Sequence, residues 1–488
     1  MEEFEPIKHP KQSRTSHLQY PRTDGVSWGA CEVEIPGIEC ANFIVPLDYT
    51  DTESQETLDL KLLKVPTVQT PKNGSIFFNF GGPGLGSRGT LASLAPSLLA
   101  ITGGEYDLVA FDPPGTIDTI TASCFNTTIE RAAIVGDPSL VVPSTEDILA
   151  LGRLWGQTQV AEDSCFNYPD LIRLVDAIED DGLLRFWGIS YGTVLGATVA
   201  AMFPVRIDRV VLDAVPNPHE YLNSYDLEVW ADSDRTFFGL LKACLQAPEG
   251  AYALAHLNPI SHDGLLIDSG LVQTLVRFAL YSPDLYPALA HALDALLSGD
   301  AAVFAAVYSA LSEAGVILTQ QPDEAAFSIL CGDKVLPRQT YTEMAPVFEK
   351  FEQESRFQGK FGHIQAMICQ HWRIQAKGRY ERNFETITKY PLLVVGNTYD
   401  SATPLRSAQN VTASFEGAVL LEHGGFGHGF TTDGSSCTIN AVPSYFSNGT
   451  LPKLGTVCEV DYAPFTPGNL TSVLEDLGYL EALPAPSE

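Results

Sequence analysis

The sequence predicts an α/β fold: a mostly parallel, doubly wound sheet with a large helical insertion. Three observations carry that prediction. Short apolar runs bounded by Gly, Pro and Asp recur through the first half of the chain and return after Tyr390. Helical stretches separate these runs, as expected of strands buried on both faces between helix layers. From about Asn217 to Tyr390 the alternation gives way to Leu, Ala and aromatic residues at helical spacing, with no strand–turn–helix pattern.

Taken in order, Ile44–Pro46 and Leu58–Val65 read as early antiparallel strands. Ser75–Phe80, Leu108–Phe111, Leu183–Trp187, Val210–Leu212, Leu392–Val395 and Ala418–Leu421 read as the strands of the main sheet. Leu171–Ile178 and Val194–Met202 are the helices flanking the strand at Leu183. Leu271–Leu280, Leu285–Leu297 and Ala302–Leu311 are helices of the insertion, which starts near Pro216–Pro218 and ends where Tyr390-Pro391 restarts the strands. The expected organisation is a polar tail over 1–25, a core over 26–216 and 391–488, and a helical cap over 217–390.

The 488 residues carry a formal net charge of -31. Such an excess repels phosphate backbones and argues against nucleic-acid partners. The charges are scattered, which reads as a solvated acidic surface. No run of 18 apolar residues appears, so no membrane-spanning helix is expected. Residues 1–25 are polar and lack the apolar stretch of a secretory leader. The cysteines point the other way. Of nine, eight fall into neighbouring pairs: Cys31 with Cys40, Cys124 with Cys165, Cys331 with Cys369, and Cys437 with Cys458, leaving Cys244. No C-x-x-C spacing occurs to support a zinc or redox site. N-x-S/T sequons begin at Asn73, Asn126, Asn410, Asn448 and Asn469. Cysteines and sequons together favour a secretory, oxidising history over a cytoplasmic one.

The strongest chemical signal is G-I-S-Y-G, Gly188 to Gly192, between the strand L-L-R-F-W and a helix of small residues. A serine at such a turn exposes its hydroxyl at the carboxyl edge of the sheet. Ser190 is therefore the expected nucleophile. It needs a base, and His428 in F-G-H-G-F lies just past the strand A-V-L-L-E. His423 abuts that strand and is expected to order the loop instead, while His371 and His291 sit within helical texture. Asp400, in G-N-T-Y-D-S-A-T-P, precedes His428 by 28 residues and supplies the order Ser…Asp…His expected of such an enzyme. Its competing role is that of a helix cap. The glycine-rich F-G-G-P-G-L-G, from Phe80, ends a strand and offers main-chain N–H groups for an oxyanion: Gly81 or Gly82, with Tyr191. No metal or organic cofactor is implied.

These segments together resemble the tripeptidyl-aminopeptidase-like branch of the α/β-hydrolases, relatives of prolyl iminopeptidase. The similarity runs from W-G-A-C-E-V-E-I-P-G-I-E-C at Trp28, through N-F-G-G-P-G-L-G at Asn79 and W-G-I-S-Y-G-T-V-L-G at Trp187, to C-T-I-N-A-V-P-S-Y-F-S-N-G-T-L-P at Cys437, and weakens through the insertion. The resemblance implies an α/β-hydrolase fold and an exopeptidase that releases N-terminal residues or short peptides, with acidic cap groups holding the substrate amine. Glu220, Glu228 and Asp232 are candidates for those groups, with a solvated helix residue the favoured reading of each. Two segments depart from the pattern. D-P-R-G-T-G-x-S is here D-P-P-G-T-I-D-T, with Pro114, Ile117, Asp118 and Thr119, and L-D-G-V-x-D-P is here L-D-A-V-P-N-P from Leu212. The first departure borders the expected site. It opens a second expectation, an esterase, lactonase or amidase acting on a small metabolite. A third, from another class, is a silent binding protein on the same fold. The expected partner is a small molecule or short peptide; the sequence does not specify an oligomeric state.

Overall fold

In this computed structural model the described residues are 25–32, 37–49, 53–70, 72–117, 170–246, 260–262, 265–313, 324–372 and 379–480, with 51, 119 and 376. The apolar runs become a nine-stranded sheet. Strands β1 (Glu39–Pro46) and β2 (Thr57–Val65) pair antiparallel, Glu39 opposite Lys64. After them come β3 (Ser75–Asn79), β4 (Asp107–Asp112), β5 (Leu184–Ile189) and β6 (Ile207–Asp213). A two-stranded hairpin, β7 (Ile260–His262) and β8 (Leu265–Ile267), lies apart. The main sheet resumes with β9 (Leu393–Tyr399), β10 (Val419–Phe426) and β11 (Val457–Cys458). Its order is β1-β2-β4-β3-β5-β6-β9-β10-β11, and every pair from β4 to β11 is parallel.

Strands β3, β4 and β5 are buried along their whole length, as their unbroken apolar sequences require. Side chains alternate between the two faces. Phe186 joins the core beneath α2 (Asp170–Ile178) and α3 (Tyr191–Met202), and Trp187 joins the core beneath α1 (Ser87–Ile101). The fold is thus doubly wound, as the sequence predicts.

Between β6 and β9 the chain is mainly helical: α4 (Pro218–Asn223), α5 (Ser233–Gln246), α6 (Ser269–Ala279), α7 (Tyr286–Leu297), α8 (Ala301–Glu313), α9 (Glu324–Asp333), α10 (Tyr341–Glu354) and α11 (Gly359–His371). Local signals set these ends. Thr340 and Glu343 form a capping box on α10, and Asp268 caps α6 through the Leu271 N–H at 2.9 Å. The insertion has apolar clusters of its own, one including Leu275, Tyr286 and Phe304. The β7–β8 hairpin was not expected there; three-residue strands are too short to show a period of two. Helices α12 (Leu405–Ser414), α13 (Ser436–Asn448) and α14 (Leu470–Asp476) complete the layers.

Cys31–Cys40, Cys331–Cys369 and Cys437–Cys458 are disulfides, three of the expected pairs. The pair Cys124 and Cys165, and the Asn126 sequon, lie outside the described residues. Cross-links of this kind persist in oxidising, extracytoplasmic surroundings. No helix among the described residues is long and apolar enough to cross a membrane.

Trp187 is fully buried, its ring centroid 5.6 Å from that of Phe78 and 5.4 Å from that of Phe430. Removing it leaves a large cavity. Trp187→Ala is expected to cost about 3–5 kcal/mol of stability in denaturant unfolding.

Candidate active site

The carboxyl ends of β3, β5, β6, β9 and β10 lie along one edge of the sheet, where ligands of open α/β folds bind. Ser190 stands between β5 and α3 with φ 57° and ψ -128°, a strained conformation for a residue with a side chain. Its N–H donates to the Asp213 carbonyl at 3.0 Å. The flanking glycines are required by close approach. A Cβ on Gly188 would lie 2.4 Å from the Gly192 carbonyl oxygen, and one on Gly192 would lie 2.2 Å from that of Asn79. The tight turn read from G-I-S-Y-G is therefore present.

Asp400 directly follows β9 and is fully buried. Its Oδ1 accepts the N–H groups of Ala402 and Thr403, each at 2.8 Å. Its Oδ2 accepts the Thr403 hydroxyl at 2.6 Å. His428 Nδ1 lies 3.0 Å from Oδ2 and 3.2 Å from Oδ1, so the imidazole is held against a caged carboxylate. The cap-like N–H bonds and the histidine contact coexist, so the two roles weighed for Asp400 are not exclusive. The His428 N–H donates to the Tyr281 carbonyl at 2.9 Å, and the Tyr281 ring stands edge-on to the imidazole, which ties α6 of the insertion to the histidine loop. Asn397 Nδ2 donates to the Gly427 carbonyl at 3.0 Å and fixes the other side of that loop.

His423 is fully buried, with Nδ1 3.0 Å from the Thr438 hydroxyl; burial pushes its pKa down to about 4. It packs β10 against α13. His291 is exposed on α7 and His371 ends α11.

The glycine loop after β3 closes over the Ser190 turn. A Cβ on Gly81 would stand 2.9 Å from both Ser190 Cβ and the Tyr191 nitrogen. The Gly81 N–H itself donates to Asn79 Oδ1 at 3.0 Å, so this donor is already engaged. Tyr191 opens α3, where first-turn N–H groups lack intrahelical partners. Asp112, at the end of β4, holds the start of α1 through Arg88, with Nε at 2.7 Å. Of the departing loop, Ile117 is exposed and Thr119 accepts the Lys61 N–H at 3.1 Å; Asp118 lies outside the described residues.

The three acids named for the cap are engaged in structural contacts. Glu228 Oε1 accepts from Ser407 at 3.0 Å and Asn410 at 2.9 Å, and its Oε2 accepts from Asn217 at 2.9 Å. Glu220 accepts the Glu228 N–H at 3.0 Å, and burial pushes its pKa up to about 6. Asp232 lies 3.8 Å from Arg235, and burial raises its pKa. A different acid reaches the site. Asp333, at the end of α9, accepts the Tyr221 hydroxyl at 3.0 Å and that of Tyr191, the residue after the nucleophile candidate, at 3.2 Å. A small cavity of about 50 Å³ is lined by Asn79, Pro113, Pro114, Asp170, Tyr191 and Asp333 among others. Burial pushes the Asp170 carboxyl up to about 7, although the Tyr49 hydroxyl donates to it.

Residues 355–458 match the TAP-like protein family. The chain has an α/β-hydrolase fold, and this segment of it is similar to the TAP-like family. It is 26% identical to Serine protease Hip1 of Mycobacterium tuberculosis (strain ATCC 25618 / H37Rv), over 89% of this chain and 91% of that protein. Against Tripeptidyl aminopeptidase of Streptomyces coelicolor it is 24% identical, over 90% of this chain and 87% of the relative. It is also 26% identical to Carboxylesterase B of Mycobacterium tuberculosis, over 88% and 89% of the two chains. The chain is a serine hydrolase.

Sequence reasoning missed Thr403, Asn79 and Asp333. Thr403 had a local signal, since Asp-x-x-Thr is a spacing at which a carboxylate meets a following hydroxyl and N–H. Asp333 had none, because only the fold brings α9 over Tyr191. Thr403→Ala is expected to lower kcat/KM about tenfold by removing one charge-assisted bond to Asp400, and Thr403→Ser to restore most of it. Steady-state kinetics on any turned-over ester or peptide checks this.

Proposed function

We propose that this chain is an exopeptidase releasing N-terminal residues or short peptides, with Ser190 as nucleophile, His428 as general base and Asp400 as the orienting acid. The observation that carries the proposal is the pairing of His428 Nδ1 with the caged Asp400 at 3.0 Å, on the same sheet edge as the strained Ser190 turn. In the proposed reaction Ser190 Oγ attacks the substrate carbonyl carbon while His428 Nε2 takes the hydroxyl proton. Asp400 holds the imidazole by Nδ1 and stabilises its charged form. The departing amine takes that proton from His428, leaving an acyl-serine. Water then attacks the ester, His428 again takes and returns the proton, and Ser190 is regenerated. The N–H groups of Tyr191 and Gly82 are assigned to the oxyanion, with Gly81 shaping the loop.

Peptide specificity is supported by two relatives whose names are Serine protease Hip1 and Tripeptidyl aminopeptidase. The helical insertion over 217–390 would serve as the cap. Within it Asp333, beside Tyr191, is the acid best placed to face a substrate's free amine. Two observations favour a second reading, a small-metabolite esterase: the cavity wall at Phe111, Pro113 and Pro114 is apolar, and Carboxylesterase B is a relative as identical as Serine protease Hip1.

A turnover panel of aminoacyl- and tripeptidyl-aminomethylcoumarins, their N-blocked forms and nitrophenyl esters separates the two. Cleavage of free-amine peptides is expected, lost on N-blocking and reduced at least about a thousandfold in Ser190→Ala and His428→Ala. Cleavage of esters alone would replace the peptidase with the esterase.

A further inference from the structure

Asp213 ends β6 beneath both halves of the site. Its carbonyl accepts the Ser190 N–H at 3.0 Å. Its carboxyl Oδ1 accepts the Phe430 N–H at 3.3 Å, two residues beyond His428. The side chain is fully buried, and among the described residues Oδ2 has no hydrogen-bond partner. A Cβ on Gly429 would stand 3.3 Å from that oxygen, so Oδ2 lies against the backbone next to His428. A buried carboxyl oxygen without a donor is costly and calls for a cause. The hydrolytic steps above leave this group unused.

We propose that Asp213 is a positioning residue for hydrolysis. Its carboxyl seats the His428 loop through the Phe430 N–H and, once ionised, places a second negative charge in support of the imidazolium. This rests on the assignment of Ser190, His428 and Asp400 made above. The titratable groups facing Asp213 are His428 and Asp400. Asp400 is faced in turn by Asp232 and Tyr286, and Tyr281 lies edge-on to His428. Burial pushes the Asp213 carboxyl up to about 7; the Phe430 N–H, His428 and the Ala214 N–H work against that rise, and Asp400 adds to it. Asp213 therefore gains charge as pH rises through neutrality. Its ionised form raises the proton affinity of the nearby imidazole, so removing the charge lowers that affinity.

The test is the rate of fluorophosphonate labelling against pH, measured on the full chain with Ser190→Ala as the control. In wild type, labelling at Ser190 is expected to rise with pH along an acid limb. Asp213→Asn keeps an acceptor for Phe430 but carries no charge, and is expected to move that limb to lower pH by about half a pH unit or more. If the amide variant does not fold, Asp213→Ser makes the same comparison. A folded variant whose limb coincides with that of wild type overturns the role of Asp213 alone. Absence of Ser190-dependent labelling in wild type overturns the triad assignment and this proposal with it. A purely structural role would change melting temperature or amplitude without moving the limb.

Discussion

The site depends on placing one carboxylate in the protein interior and surrounding it with donors. Asp400 has no exposure, and burial of a carboxyl group is costly unless its oxygens are bonded. Two N–H groups and the Thr403 hydroxyl supply three bonds, and all come from the four residues that begin with Asp400 itself. The remaining approach is left to His428 Nδ1. A local turn, cheap to encode, thus holds a long-range partner 28 residues away. The imidazole cannot swing outward without abandoning a desolvated acid, so a packing requirement fixes the orientation of the ring.

The two halves of the site share a floor. Trp187 lies one residue before Gly188 in β5 and stacks on Phe430, which follows the histidine loop. Asp213 bonds to Ser190 through its main chain and to Phe430 through its side chain. The serine turn and the histidine loop therefore rest on the same two strands, and their relative position is set by a close-packed core. From above, Tyr281 joins α6 to His428, while Tyr191 and Tyr221 join Asp333 of α9 to the turn. The insertion is tied to both the serine turn and the histidine loop.

This division explains what the sequence could reveal. Buried parallel strands must be apolar along their length and must end in turns, so β3 to β6 and β9 are visible as runs such as S-I-F-F-N and L-V-V-G. The Ser190 turn demands glycine on both sides for steric reasons, and that demand is written locally. Asp400 and His428, which the structure brings within 3.0 Å, could be picked out because each follows a recognisable strand. Asp333 and Asp213 were not. Asp333 acquires meaning only when the insertion folds back, and Asp213 looks like an ordinary acid at the end of V-V-L-D. The contacts of the cap acids were hidden for the same reason: Glu228 accepts from Ser407 and Asn410, distant in sequence.

The charge of the whole molecule bears on which substrate suits this site. At a net charge of -31 the surface potential favours cations and disfavours anions over distances of a Debye length, about 8 Å at physiological salt. A peptide with a protonated amino terminus gains from that field before it touches the protein; a carboxylate-bearing metabolite loses. Neutral esters are indifferent to it. Near Tyr191 the long-range preference meets a short-range one, since Asp333 lies beside a wall of Phe111, Pro113 and Pro114. A group that is cationic at one end and apolar along its body satisfies both, and the amino-terminal residue of a peptide with an apolar side chain is such a group.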